Sequence, residues 1–167
     1  MDLTALFKMS YGLYVVSAEE GGDRAACLIN TATQVTAEPP RVAVTVNKDN
    51  FTAEVIMRAS AFALTAVDMT ADMPYLGNFG FRSSETYNKF EKYQVAEIEG
   101  IPYVSEHACA VFACKVVETV DVGTHLMFIG ELKAAEILNA EEPLTYAYYH
   151  STLKGKTPKN ASSYQGE

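Results

Sequence analysis

The sequence predicts a mainly β protein: a closed or nearly closed antiparallel barrel with a few short helices. Three observations predict it. Short β-prone runs recur along most of the chain, the helical patterns between them are brief, and no internal repeat or linker divides the 167 residues. A hydrophobic content of 49% is enough for one domain with a real core.

The elements follow in order. Residues 11–18, YGLYVVSA, are rich in Tyr and Val and read as a strand. EEGGDR is a hairpin-type turn. Residues 25–36, AACLINTATQVT, are β-prone over most of their length. AEPPR breaks that run, because proline donates nothing to a ladder. Val42, Val44 and Val46 alternate in the next strand. Residues 51–60 carry Phe51, Val55, Ile56 and Ala59 at helical spacing, with Asn50 or Thr52 as N-cap. AFALTAV, 61–67, is a buried strand by composition. Residues 70–100 mix turn formers, aromatics and charge, and read as loops and short helices. One of these is SSETYNKFEKY, capped by Ser83 or Ser84. A long irregular stretch inside a small domain is often functional. GIPYVSEH is a loop or short edge segment. Two long strands, ACAVFACKVVETVDVG and HLMFIGELKAAEIL, meet at Val122–Gly123–Thr124. The remainder is a C-terminal tail, polar over 157–167.

Composition excludes several functions. A net charge of −8 repels phosphate backbones, so a nucleic-acid partner is not expected. Cys27, Cys109 and Cys114 form no disulfide framework; as small apolar thiols they point to the cytoplasm. No apolar run is long enough to span a membrane, and MDLTALFKMS has no long apolar stretch behind a basic one, so a signal peptide is not expected. His107, His125 and His150 stand singly, and no ligand set has metal spacing. No nucleophile motif, Walker loop or GxGxxG occurs.

Several stretches carry two readings each. NKDNFT, 47–52, is a turn and a helix cap; its helix start, hydroxyl and Lys48 also make an anion site. CLINTATQVT places Asn30, Thr31, Thr33, Gln34 and Thr36 on both faces of one strand. That is either an exposed edge or an edge offering backbone and amide groups to a planar polar ring. In FGFRSS, Arg82 is a solvated side chain beside a cap or a forked phosphate donor. Lys89, a turn or two further on beside Phe90, reads as surface. His125, after a turn, is structural or catalytic. YYHSTLKGKTPKN is a soluble tail, or a segment that crosses a site or a partner subunit.

Taken together and in this order, YGLYVV, CLINTATQVT followed by PP, VNKDNFT, FGFRS followed by NKF, GTHLMFIGEL and YYHSTLKGKTPKNA resemble the flavin reductase-like family of FMN-binding split barrels. The last stretch is similar to the flavin domain of high-molecular-weight rubredoxin (NADH:rubredoxin oxidoreductase), which precedes a rubredoxin module. No CxxC pair occurs here, so that module is not expected. The resemblance implies an antiparallel six-stranded Greek-key barrel and a homodimer with one FMN at each interface. It also implies roles. Asn30, Thr31, Ala32, Thr33, Gln34 and Val35 would line the isoalloxazine. Val46, Asn47, Lys48, Asn50, Phe51 and Thr52 would surround ribityl and phosphate. Phe81, Arg82, Ser83 and Lys89 would complete the polar shell, and Tyr149, His150 and Lys154 would reach in from the C-terminal segment. His125 would lie by flavin and nicotinamide as the catalytic residue.

The implied activity is electron transfer from NADH or NADPH through FMN to a free flavin or a redox protein such as rubredoxin. The alternatives are an FMN carrier that does not oxidise nicotinamide, and a split barrel that binds another ligand such as haem or a pyridoxal derivative. Ser84, where relatives often carry glycine, and the apolar HLMF bear on donor specificity rather than on FMN.

Overall fold

The computed structural model describes residues 1–159 and residue 161, without the side chains of residues 3 and 7. After a short 3₁₀ turn, Leu3–Lys8, the elements are β1 (Tyr14–Glu20), β2 (Asp23–Ile29), β3 (Ala32–Ala37), β4 (Pro40–Asn47), α1 (Phe51–Ala59), β5 (Ala61–Val67), α2 (Met73–Phe81), β6 (Val95–Ile98), β7 (Ile101–Val104), β8 (Ala108–Asp121), β9 (His125–Ile137) and α3 (Tyr146–Ser151). β6 and β7 form a separate hairpin. The other strands form one antiparallel sheet in the order β2-β1-β5-β8-β9-β4-β3.

The antiparallel barrel is the one expected, with six strands if β2 and β3 are counted as one interrupted strand and seven if they are counted apart. The predicted single strand over 25–36 is broken at Asn30 and Thr31, so its halves β2 and β3 lie on the two outer edges of a seven-stranded sheet. Two edges joined by two residues force the sheet to curl until they nearly meet. The barrel is therefore split at this point. Thr31 anchors the break: its carbonyl accepts from Thr45 N at 3.0 Å and its hydroxyl donates to Thr45 O at 2.7 Å.

Local chemistry explains the turns and helix ends. The β1–β2 turn holds Gly21 and Gly22 at φ of 62° and 88°, as a two-residue hairpin of this hand requires. Asn50 caps α1 by accepting from Thr52 N at 3.0 Å, and buried Val55 and Ile56 lie on its inner face.

The helix predicted over SSETYNKFEKY does not form; those residues are turns and irregular chain. Their side chains bond to distant backbone instead, which competes with helix formation. Ser84 exchanges two 3.1 Å bonds with Ala26, and the Lys89 ammonium donates to Ala26 O at 2.7 Å and to Phe79 O at 3.2 Å. The helix of this region is α2, immediately upstream, capped by Asp72. GIPYVSEH contains β7 and is not simple loop, and the tail contains α3.

Two cores result. One fills the barrel around Val16, Val44, Val46, Ile56, Phe62, Leu64 and Phe128. The other lies beneath α2 and α3 around Leu13, Val15, Tyr75, Leu76, Phe79, Leu144 and Tyr149. No helix among the described residues is long and apolar enough to cross a membrane.

Candidate functional site

A groove opens along the seam between the two cores. Its inner lobe, about 570 Å³ including the mouth, is lined by Cys27–Thr31 from the split, Thr45–Asn47 from the end of β4, and His125 from the start of β9. Asn50, Gly80, Tyr146, Tyr149, Pro158 and Ala161 close the other side. A second, wider lobe continues past Asn50, Gly80 and Pro158 to Asp49, Phe81, Arg82, Ser83, Lys156, Thr157 and Lys159.

The lobes differ in chemistry. The inner one offers apolar side chains and strand-edge polar groups. Asn47 and His125 are ladder partners there, and the His125 Nδ1 lies 2.8 Å from Thr124 Oγ1. Among the described residues, the outer lobe sets three cations, Arg82, Lys156 and Lys159, against one carboxylate, Asp49, on a chain of net charge −8. It begins at the N-terminus of α1, where backbone N–H groups favour an anion.

Of the residues expected at the site, the groove includes Asn30, Thr31, Val46, Asn47, Asn50, Phe81, Arg82, Ser83, His125 and Tyr149. The others lie elsewhere in the single chain. Ala32, Thr33, Gln34 and Val35 run along edge strand β3, the last three exposed. Lys48 forms an ion pair with Asp121 at 2.6 Å. Phe51 packs on the barrel core. Thr52 is fully buried below the groove, and its Oγ1 makes no conventional hydrogen bond. The Cys27 thiol is its polar neighbour; burial pushes that thiol up, with partial relief from Lys89, Thr52 and Asn50. His150 packs edge-on against Tyr146 with centroids 4.3 Å apart, and Lys154 is exposed.

Lys89 is neither surface nor groove. It is buried, and its Nζ donates to Ala26 O at 2.7 Å and Phe79 O at 3.2 Å. Burial pushes its ammonium down to about 8, against an upward pull from Cys27. It ties β2 to the C-terminal end of α2 and so holds the loop that carries Arg82.

Sequence reading missed Cys27, Gly80, Tyr146, Lys156, Pro158 and Lys159 as lining residues. The cluster KGKTPK was the available signal, but only the chain's path shows which of its lysines face the groove.

The comparisons with known proteins agree with this geometry. The flavin reductase like domain family matches residues 6–155. The chain is 42% identical over 166 residues to a ferric-chelate reductase (NAD(P)H) of Archaeoglobus fulgidus, covering 98% of both chains. It is 38% identical to the high molecular weight rubredoxin of Moorella thermoacetica, covering 98% of this chain and 72% of that one. The structure resembles that of flavoredoxin from Methanosarcina acetivorans with a TM-score of 0.71 and 25% identity, over 77% of this chain and 69% of the other. With a matched domain spanning most of its length and a split barrel carrying one continuous amphipathic groove, the chain belongs to the flavin reductase like domain family of oxidoreductases.

Proposed function

We propose that this chain is one domain that holds FMN in the groove and uses it to oxidise NADH or NADPH, passing the electrons to a free flavin, a ferric chelate or a redox protein such as rubredoxin. The observation that carries the reading is the groove's polarity. A mixed apolar and amide-lined inner lobe fits a flat amphipathic ring, and a cationic outer lobe at a helix start fits a phosphate dianion.

Asn30, Thr31 and Val46 would hold the ring through strand-edge groups, with Asn47 and Asn50 along the polar chain. Arg82, Ser83, Lys156 and Lys159 would face the phosphate. FMN, when bound, supplies the acceptance of a hydride and the onward transfer of one or two electrons. The protein orients the partners, excludes water and needs no side-chain acid at the transferred hydride. His125, at the mouth of β9 and steadied by Thr124, is positioned to contact the nicotinamide.

The exposed edge strand β3, with Thr33, Gln34 and Val35 facing out, supports a homodimer in which a second copy covers that edge and each FMN sits near the interface. Three buried free thiols support a cytoplasmic setting.

The test is the anaerobic absorption spectrum of the purified protein before and after NADH or NADPH. A flavin band that bleaches with nicotinamide is the expected result. The likeness to flavoredoxin favours a second reading, a carrier, for which the band would bleach with a reduced redox protein and with neither nicotinamide. No flavin band after added FMN would overturn both and leave a barrel for another ligand. His125→Ala should lower the rate of bleaching by nicotinamide more than it lowers FMN content; equal rates would remove His125 from the mechanism.

A further inference from the structure

The C-terminal segment after α3 folds back over the groove, and its path is pinned at three points. A Cβ added to Gly155 would lie 2.0 Å from the Tyr149 ring, so only glycine lets the chain cross that ring so closely. Next, the Tyr149 hydroxyl donates to Lys156 O at 2.8 Å. Finally, the Tyr146 hydroxyl lies 2.9 Å from Thr157 Oγ1. Beyond these ties Pro158 passes over Gly80, where an added Cβ would lie 3.7 Å from Pro158 Cγ. The crossing places Lys156 and Lys159 on the outer lobe opposite Arg82 and Ser83. Two walls of the lobe thus come from segments about 75 residues apart in the chain, and the strap supplies two of its three cations.

We infer that residues 155–159 form a retaining strap that makes the flavin a resident group rather than an exchanging substrate. Lys156 and Lys159 close on the phosphate, and the Gly155–Tyr149 crossing holds them there. This inference rests on the flavin reading of the groove and adds to it which segment sets residence. A strap that acts through phosphate charge discriminates FMN from riboflavin, which has the same ring and polar chain without the phosphate. A strap that acts only as packing holds both alike.

The experiment measures binding and release of FMN and of riboflavin by flavin fluorescence, in the full chain and in two variants. Lys156→Ala/Lys159→Ala should weaken FMN binding about tenfold or more, as loss of hydrogen bonds to a charged group does. It should leave riboflavin binding within twofold and flatten the salt dependence of FMN binding. Gly155→Ala should speed FMN release with both lysines still present. Lys115→Ala, an exposed lysine outside the groove, is the control for net charge. Unchanged FMN binding in the double-lysine variant, or an equal loss for riboflavin, overturns the strap. Unchanged release in Gly155→Ala overturns the pinning. If Gly155→Ala fails to fold, as read by thermal unfolding without flavin, the lysine variant alone decides. A wild-type chain that binds neither flavin overturns the flavin reading itself, and the strap with it.

Discussion

The two walls of the groove are built by different means. One wall is strand: the split at Asn30–Thr31, the end of β4 and the start of β9. Its positions follow from ladder register, with Asn47 opposite His125 and Thr31 bonded to Thr45. The other wall is irregular chain: the 80–89 segment and the strap at 155–159. Its positions depend on single side-chain ties, Lys89 and Ser84 to the distant Ala26 and Tyr149 to the strap seven residues on. A ladder spreads its strain over many bonds, whereas the loop wall concentrates it in a few. Placing the cations on the loop wall lets one end of the groove change without disturbing the barrel.

That contrast can be broken at its weakest points. Lys89→Ala should have the largest effect. It empties a buried four-carbon stem and strips a donor from two carbonyls, at a cost of about 3 kcal/mol by denaturant unfolding near pH 10, where relief of the buried charge no longer offsets the loss. FMN retention should fall with it, because the Arg82 loop loses its tether. The same residue gives a pH signature. Unfolded, its ammonium titrates near 10.5; folded, near 8. Between those values the unfolded chain binds more protons, so this group's contribution to stability rises with pH across that window. Below about 8 the cost of burying the charge is present in full. Stability-against-pH curves should show the rise in wild type and lose it in Lys89→Ala.

Gly130→Ala probes the strand wall's support. A Cβ there would sit 2.6 Å from Cys114 Cβ and 2.8 Å from the Phe62 ring, inside the barrel. Overpacking should cost about 2 kcal/mol while leaving the loop wall's pH signature intact. Equal loss of that signature would show the two walls to be one cooperative unit. Asn50→Ala comes next: it removes the α1 cap where the two lobes join, at about 1 kcal/mol, and should weaken FMN binding as well. Lys48→Ala should do least. Its partner Asp121 is solvent-exposed and the pair is away from the groove, so neither FMN affinity nor the unfolding midpoint should change measurably. A marked loss of FMN there would return Lys48 to the site.

The stretch NKDNFT shows how far local reading went. Its turn, its cap and its helix start are set by neighbours in the chain, so they were legible: Asn47 and Asn50 side chains accept from backbone N–H groups two residues on. Its two readings also coexist, since the cap residue lines both lobes. What was not legible was side-chain direction. Lys48 leaves for Asp121 and Thr52 turns inward beside Cys27, and both outcomes depend on residues distant in sequence.

The same division holds for the whole molecule. By itself the sequence determined the β-rich class, the long hairpin of β8 and β9, the α1 cap and the flavin reductase-like resemblance. These are properties of period two, turn chemistry and ordered motifs, all carried by near neighbours. Only tertiary structure decided that residues 25–36 split across two edges, that SSETYNKFEKY is not a helix, and that Lys89 is buried while Lys156 and Lys159 face the groove. Each of those depends on which distant backbone carbonyl or ring a side chain meets. Such a meeting is fixed by the closure of the barrel and by no pattern along the chain.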